Sequence, residues 1–181
     1  MNANEFNILY DEIITKRLQE QGYFKKGKSM FLQRGTTMAV LLRNTFRGDK
    51  GVEIIFGVRH TFVRDYLNLS IQNLYLTNPM DYPFQFSMME FNESNLFTIS
   101  TTRYNQKVCD YIYYGETDIE NSQDLRNYLE QICDNVIAFG PKLINLLSPK
   151  KSMDLIEKNI NNAWIERIRL EDYKEFLLIN K

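Results

Sequence analysis

Two consecutive segments constrain the fold of this chain most strongly, because together they predict a buried β-hairpin. The first, residues 36–46, has an uninterrupted apolar centre at 38–42, which is typical of a strand buried on both faces. The second, residues 52–60, alternates apolar side chains with others, as an antiparallel strand does. Between them, residues 47–51 contain two glycines and an aspartate, which favour a tight turn.

The rest of the chain predicts further strands, and helices at both ends. Besides the hairpin, we expect strands at residues 29–34, 84–91, 96–103 and 108–114. We expect helices over the first twenty residues with Asn4 as N-cap, at 122–139, at 142–147, after a Ser152 N-cap, and at 163–179. The prediction is one α+β domain over residues 1–181. It has an N-terminal helix, an antiparallel sheet of about five or six strands, and C-terminal helices packed on one face.

Composition limits the class of protein. The chain has 181 residues with 44% hydrophobic side chains and only 8 Gly and 4 Pro, which excludes a disordered or collagen-like chain. No apolar run approaches the ~18 residues of a membrane-spanning helix. The formal charge of −1 argues against a nucleic-acid partner. With two cysteines and no secretory leader, we expect a cytoplasmic protein that does not enter a membrane.

The inventory of reactive residues argues against most catalytic sites. His60 is the only histidine, so a site built from two histidines is excluded. Neither glycine-rich phosphate-binding motif occurs, and Cys109 and Cys133 lack flanks that would activate a thiolate. We therefore expect no catalytic residue, no metal and no cofactor. A basic turn at residues 25–28 offers three lysines that could hold an anion, although solvated lysines are common in turns.

One polar cluster supports an alternative function. Arg59, His60, Arg64 and Asp65 are close in sequence at the end of a predicted strand. If they converge, a carboxylate could hold His60 as a proton shuttle in an enzyme or small-ligand pocket. The competing interpretation is that His60 makes surface hydrogen bonds at the strand end.

Tyrosines and acidic residues in the third quarter form the candidate interaction surface. Alternation along a strand places Tyr111 and Tyr113 on one face, and Tyr and Arg are enriched at protein interfaces. An acidic segment follows them, without the glycine and final glutamate of a calcium loop. The surface comprises Arg103, Tyr111, Tyr113, Glu116, Asp118 and Glu120. The competing interpretation is a core whose tyrosine hydroxyls reach its rim.

The order of these elements resembles a known family. The first helix ends in the segment 22–27 (Gly-Tyr-Phe-Lys-Lys-Gly), and the segment 139–143 (Phe-Gly-Pro-Lys-Leu) precedes Ser152. In this arrangement the chain resembles the DUF4304 family of bacterial domains, over residues 4–60 and more loosely 125–160. The resemblance implies an α+β fold but no catalytic residues.

These observations favour a non-enzymatic protein-interaction module. It would bind a protein partner through its aromatic or acidic surface, as an immunity-type or regulatory partner, and could form a homodimer. The alternative is an enzyme or small-ligand-binding protein with a pocket around Arg59, His60 and Arg64.

Overall fold

Six antiparallel strands form one sheet in the computed structural model, which describes residues 2–46, 51–67, 74–99, 109–113, 122–159 and 164–180. The strands are β1 (Phe24–Lys26), β2 (Ser29–Arg34), β3 (Thr37–Phe46), β4 (Gly51–His60), β5 (Phe84–Phe86) and β6 (Asp110–Tyr113). Strands β1 to β4 follow one another across the sheet. On its other side, β4 pairs with β6 along its first half and with β5 along its second half.

Helices precede and follow the strands. They are α1 (Ala3–Tyr10), which continues through a π-helical turn (Asp11–Thr15) into α2 (Lys16–Glu20), then α3 (Glu93–Phe97), α4 (Ser122–Leu146), α5 (Pro149–Lys158) and α6 (Trp164–Ile179). A capping box at Asn2 and Glu5 begins α1. The N-terminal helix, the antiparallel sheet and the C-terminal helices confirm the predicted α+β class.

The helices cover one face of the sheet, which we call the inner face. From β3 and β4 this face carries Ala39, Leu41, Ile54 and Phe56, all fully buried. They belong to one buried cluster with apolar residues of the N-terminal helix and of α4, α5 and α6. Because side chains alternate along a strand, the residues between them point to the opposite, outer face.

A second core covers much of the outer face. Its buried residues are Phe31, Met38, Val40, Leu42, Ile55, Tyr82 and Cys109, with Leu74 and Tyr75 packed against them. The Tyr82 ring lies on Gly57, where a Cβ atom would come within 2.8 Å of the ring, so only glycine leaves room for it. Two cores explain the apolar centre of β3 and confirm a strand buried on both faces.

The structure corrects several predicted elements. The predicted strand at 96–103 is wrong where it is described, since α3 occupies Glu93–Phe97. The strand expected at 84–91 ends at Phe86. The residues assigned to a polar turn after the first helix include β1.

Helix boundaries also differ from the predictions. Asn2, and not Asn4, caps α1, while Ser148, and not Ser152, caps α5. The two helices expected on either side of Gly140 and Pro141 are one helix, α4. Buried Leu143 on this continuation packs in the inner core, which offsets the hydrogen bond lost at the proline.

Candidate functional site

An aromatic patch lies on the open part of the outer face. It consists of Phe46 at the end of β3 and Tyr111 and Tyr113 on β6. The Phe46 ring stands edge-on to both tyrosines, with ring centroids 5.7 Å from Tyr111 and 5.4 Å from Tyr113. Tyr111 is 50% exposed, whereas Ile112 between the tyrosines is buried in the inner core. The predicted placement of Tyr111 and Tyr113 on one face is confirmed.

A glycine allows this patch to form. Phe46 pairs with Gly51 across the β3–β4 ladder, and Gly51 pairs with Tyr113 on β6. A Cβ atom on Gly51 would lie only 2.8 Å from the Phe46 ring. The ring can therefore lie across β4 and reach β6 only because position 51 has no side chain.

Polar groups border the patch on one side. Glu53 pairs directly with Tyr111 across the ladder and accepts a hydrogen bond of 3.2 Å from the Asn44 amide. The pKa of Tyr111 is raised by its side-chain hydrogen bond with Cys109 and by the nearby Glu53 carboxylate. The Tyr111 hydroxyl is therefore protonated at neutral pH and can donate a hydrogen bond.

Four members of the predicted interaction surface fall outside the described residues. These are Arg103, Glu116, Asp118 and Glu120. The described part of this surface consists of the two tyrosines, which contact Phe46.

The predicted polar cluster does not converge on one pocket. Arg59 and His60 are consecutive on β4, so their side chains point to opposite faces of the sheet. Both are buried, with at most 1% of either residue exposed. Arg64 binds a residue of α6, and Asp65 accepts a hydrogen bond from the Leu67 amide. Among the described residues, these four side chains therefore do not share the cleft that the enzyme alternative requires.

His60 is packed as a core residue. Its ring lies 5.3 Å from Phe62 and 5.4 Å from Tyr173 between centroids, in edge contacts. Neither ring nitrogen has a hydrogen-bond partner within the described segments. Burial, and secondarily the charge of Arg59, lowers the pKa of His60 to about 3. The expectation of surface hydrogen bonds is wrong, and a neutral, enclosed imidazole is a poor proton shuttle at neutral pH.

Arg59 links β4 to the segments that cover the outer face. Its guanidinium donates to the backbone carbonyl oxygen of Val63, and the charge of buried Asp81 lies nearby. Burial lowers the pKa of Arg59, and burial likewise raises the pKa of Asp81. Arg169 of α6 donates to the Met80 carbonyl oxygen in the same region. These contacts tie Val63 to β4 and Met80 to α6.

Arg64 forms the most complete ion pair of the cluster. Asp172 of α6, which is buried, accepts hydrogen bonds from the Arg64 backbone amide at 2.9 Å and from Arg64 Nε at 2.8 Å. Arg64 Nη2 lies 2.7 Å from the same carboxylate. This geometry fixes the start of the β4–β5 connection on α6.

A groove of about 530 Å³ lies elsewhere, between α5 and α6. It is lined by Lys150, Met153, Lys174, Leu177, Leu178 and Asn180. None of the predicted site residues that the structure describes lines it. Two further findings concern the described residues alone: no three or more His, Cys, Asp or Glu side chains group as metal ligands, and no helix is long and apolar enough to span a membrane.

Sequence reasoning missed three contributors to these sites. The sequence pattern marks Phe46 only as the end of a strand, although its ring contacts both tyrosines. Asp81 and Arg169 were not connected with Arg59, because they are distant from it in sequence. Gly51 lies opposite Phe46 in the β3–β4 ladder, and a glycine opposite an aromatic residue was the available signal for the patch. This signal cannot be recognised until the strand register is known.

Comparisons with protein-family models, curated proteins and solved structures find no match to this chain. The resemblance to the DUF4304 family therefore stays a prediction.

Proposed function

We propose that this chain is a non-enzymatic protein-interaction module that binds a partner protein through the aromatic patch. The observation that carries the proposal is the half-exposed Tyr111 ring, which packs with Tyr113 against Phe46 on the face away from the helices. Tyrosine suits this role because it offers a large contact area together with a hydroxyl that can donate or accept a hydrogen bond.

The state of the polar cluster also favours binding over catalysis. A catalytic imidazole needs access to a substrate and a pKa near the working pH. His60 is enclosed, and its pKa is about 3. Arg59, on the opposite face, is held by backbone carbonyl oxygens and is buried. His60 is thus packed against residues of the inner core, and Arg59 lies beside the second core, so neither is presented to a substrate.

The test compares partner capture by matched variants. Tagged wild-type protein, the Tyr111→Ala/Tyr113→Ala double variant and Phe97→Ala are each purified from the host cells and analysed by quantitative mass spectrometry. Phe97 is the control because it is 89% exposed and lies on α3, outside the patch. We expect one stoichiometric protein partner with wild type and Phe97→Ala, and at least a tenfold loss with the double variant.

Two outcomes would contradict the proposal. A partner retained in full by the double variant would show that the binding surface lies elsewhere. A stoichiometric small molecule in place of a protein would favour the ligand-binding alternative.

The finer features of this proposal have separate tests. If the partner is a second copy, light scattering gives a dimer mass that the double variant reduces to a monomer mass. For an immunity-type or regulatory role, adding this chain would change the partner's activity. We place this binding in the cytoplasm, where Cys109 and Cys133 stay reduced, and fractionation of the host cells checks the location.

A further inference from the structure

We propose that the outer edge of the sheet, at β1, binds an extended acidic segment of a partner protein as an added strand. This β1 edge consists of Phe24, Lys25 and Lys26 of β1, Lys28 of the following turn, and Tyr75. It lies at the opposite side of the sheet from β6, so it is a second surface that does not depend on the aromatic patch.

The backbone of β1 has an open side. Within the described part of the chain, β1 pairs only with β2, and its three residues are exposed. Lys26 pairs with Ser29 across a two-residue turn, in which Gly27 has a φ of +61°. Because hydrogen-bonded and non-hydrogen-bonded pairs alternate in an antiparallel ladder, the N–H and C=O of Lys25 point away from β2. Strand addition uses such a free donor and acceptor.

The outer-face side chains of this edge define two neighbouring contact positions. Phe24 is 38% exposed and stacks on Phe31, with ring centroids 5.8 Å apart. Two residues later, the Lys26 ammonium lies 4.4 Å from the centre of the Tyr75 ring. An added strand would therefore place an apolar side chain beside Phe24 and an acidic one beside Lys26, two residues apart.

The charges of the edge favour an acidic occupant. On the inner side, Lys25 is paired with Asp11 at 2.6 Å. Lys26 and Lys28 have no carboxylate at ion-pair distance in the segments described, and Lys28 reaches only the Thr45 hydroxyl at 3.5 Å. Two ammonium groups are thus available to an incoming acidic side chain.

The same features disfavour two other occupants. A second copy pairing through the same edge would bring the lysines of the two strands together, and like charges across a ladder are destabilising. A nucleic acid would need open ring faces for stacking. Phe24 instead stacks on Phe31, and Lys26 covers Tyr75.

Fluorescence anisotropy tests the proposal with a labelled octapeptide of sequence Val-Thr-Glu-Thr-Val-Thr-Glu-Thr and a matched peptide with Lys in place of Glu. We expect only the acidic peptide to bind.

The variants test the strand pairing and the charges separately. Lys25→Pro removes the outward N–H without removing a hydrogen bond to β2, whereas Lys25→Ala removes only the side chain. Lys25→Pro should weaken binding at least tenfold relative to Lys25→Ala. Lys26→Glu/Lys28→Glu should also weaken it tenfold, and exposed Lys151→Glu on α5 less than twofold.

Amide hydrogen exchange of the wild-type protein provides a readout that needs no variant. The Lys25 amide should exchange rapidly in the free protein and become protected when the acidic peptide is added. Three results would overturn the proposal: no binding at millimolar peptide, equal binding by Lys25→Pro and Lys25→Ala, or an unprotected Lys25 amide in the complex. Displacement of the peptide by oligo-dT at equimolar concentration would overturn it in favour of a nucleic-acid ligand.

Discussion

Replacing His60 by leucine should make the protein less sensitive to mild acid. His60 is fully buried between Phe62 and Tyr173, and its two ring nitrogens have no hydrogen-bond partner in the described structure. Leucine has a similar volume and buries no polar atom. At pH 7.5 the gain from removing these atoms, about 1–3 kcal/mol, is similar to the loss of two edge contacts of ~0.5–1.5 kcal/mol each. The stability of the His60→Leu variant at pH 7.5 should therefore lie within about 2 kcal/mol of wild type.

The pH dependence follows from the low pKa of the native imidazole. In the unfolded chain the pKa of His60 is 6.5, and in the native state it is about 3. Between these values the unfolded state binds a proton that the native state does not, so the free energy of unfolding falls as the pH falls from 6.5 towards 3. At pH 5.0 this difference in proton binding lowers the free energy of unfolding by about 2 kcal/mol, obtained from RT ln(1 + 10^1.5). At pH 7.5 the effect is close to zero.

The assay is urea denaturation of wild type and His60→Leu at pH 7.5 and 5.0, followed by far-ultraviolet circular dichroism. Carboxylates and other groups that the variant retains titrate similarly in both proteins, so their contributions cancel in the comparison. His60 is the only histidine, so no second imidazole obscures the result. We expect wild type to lose about 2 kcal/mol more than the variant between the two pH values.

Equal losses in both proteins would refute the reasoning. They would mean that native His60 accepts a proton near pH 6.5 and is therefore accessible to solvent. Nuclear magnetic resonance gives an independent measurement, because the ring proton signals of His60 should not shift between pH 7.5 and 5.0. A titration with a midpoint near 6.5 would restore His60 as a candidate proton shuttle and strengthen the enzyme alternative.

Three further substitutions test the packing and the caps by urea denaturation. Gly140→Ala should destabilise the protein by about 1–2 kcal/mol, because the new Cβ would lie 2.7 Å from the Tyr23 hydroxyl oxygen, and a stabilised variant would contradict this contact. Ser148→Ala should cost about 1 kcal/mol through loss of the N-cap of α5, whereas an unchanged midpoint would mean that the cap is dispensable. Asp172→Ala should lower the free energy of unfolding by about 2 kcal/mol, which is less than the loss for a fully buried ion pair because Arg64 is partly exposed. A loss below about 0.5 kcal/mol would refute the role of the Arg64–Asp172 pair.

The local pattern was sufficient for the elements whose neighbours in space are also neighbours in sequence. Strands β2, β3 and β4 form a meander, so their partners are set by short turns, and β2 was predicted with its observed bounds at Ser29–Arg34. The apolar run in β3 also indicated burial on both faces correctly. The alternation of Tyr111 and Tyr113 placed both on one face for the same reason, because side chains along a strand alternate whatever surrounds it.

Tertiary packing decided the features that depend on distant segments. The start of α4 was visible in its apolar period, but its continuation through Pro141 follows from burial against the sheet, which local propensity does not report. The burial of His60 depends on Tyr173 of α6, more than a hundred residues away. The aromatic patch needs Phe46 to cross Gly51 and meet β6, and that contact exists only once the strand register is set. The sequence by itself thus determined the α+β class, the β2–β4 meander and the alternation of faces along β4 and β6, since these depend on short-range periodicity. Tertiary structure decided which face was covered and which polar groups were enclosed, since burial is a property of contacts between segments remote along the chain.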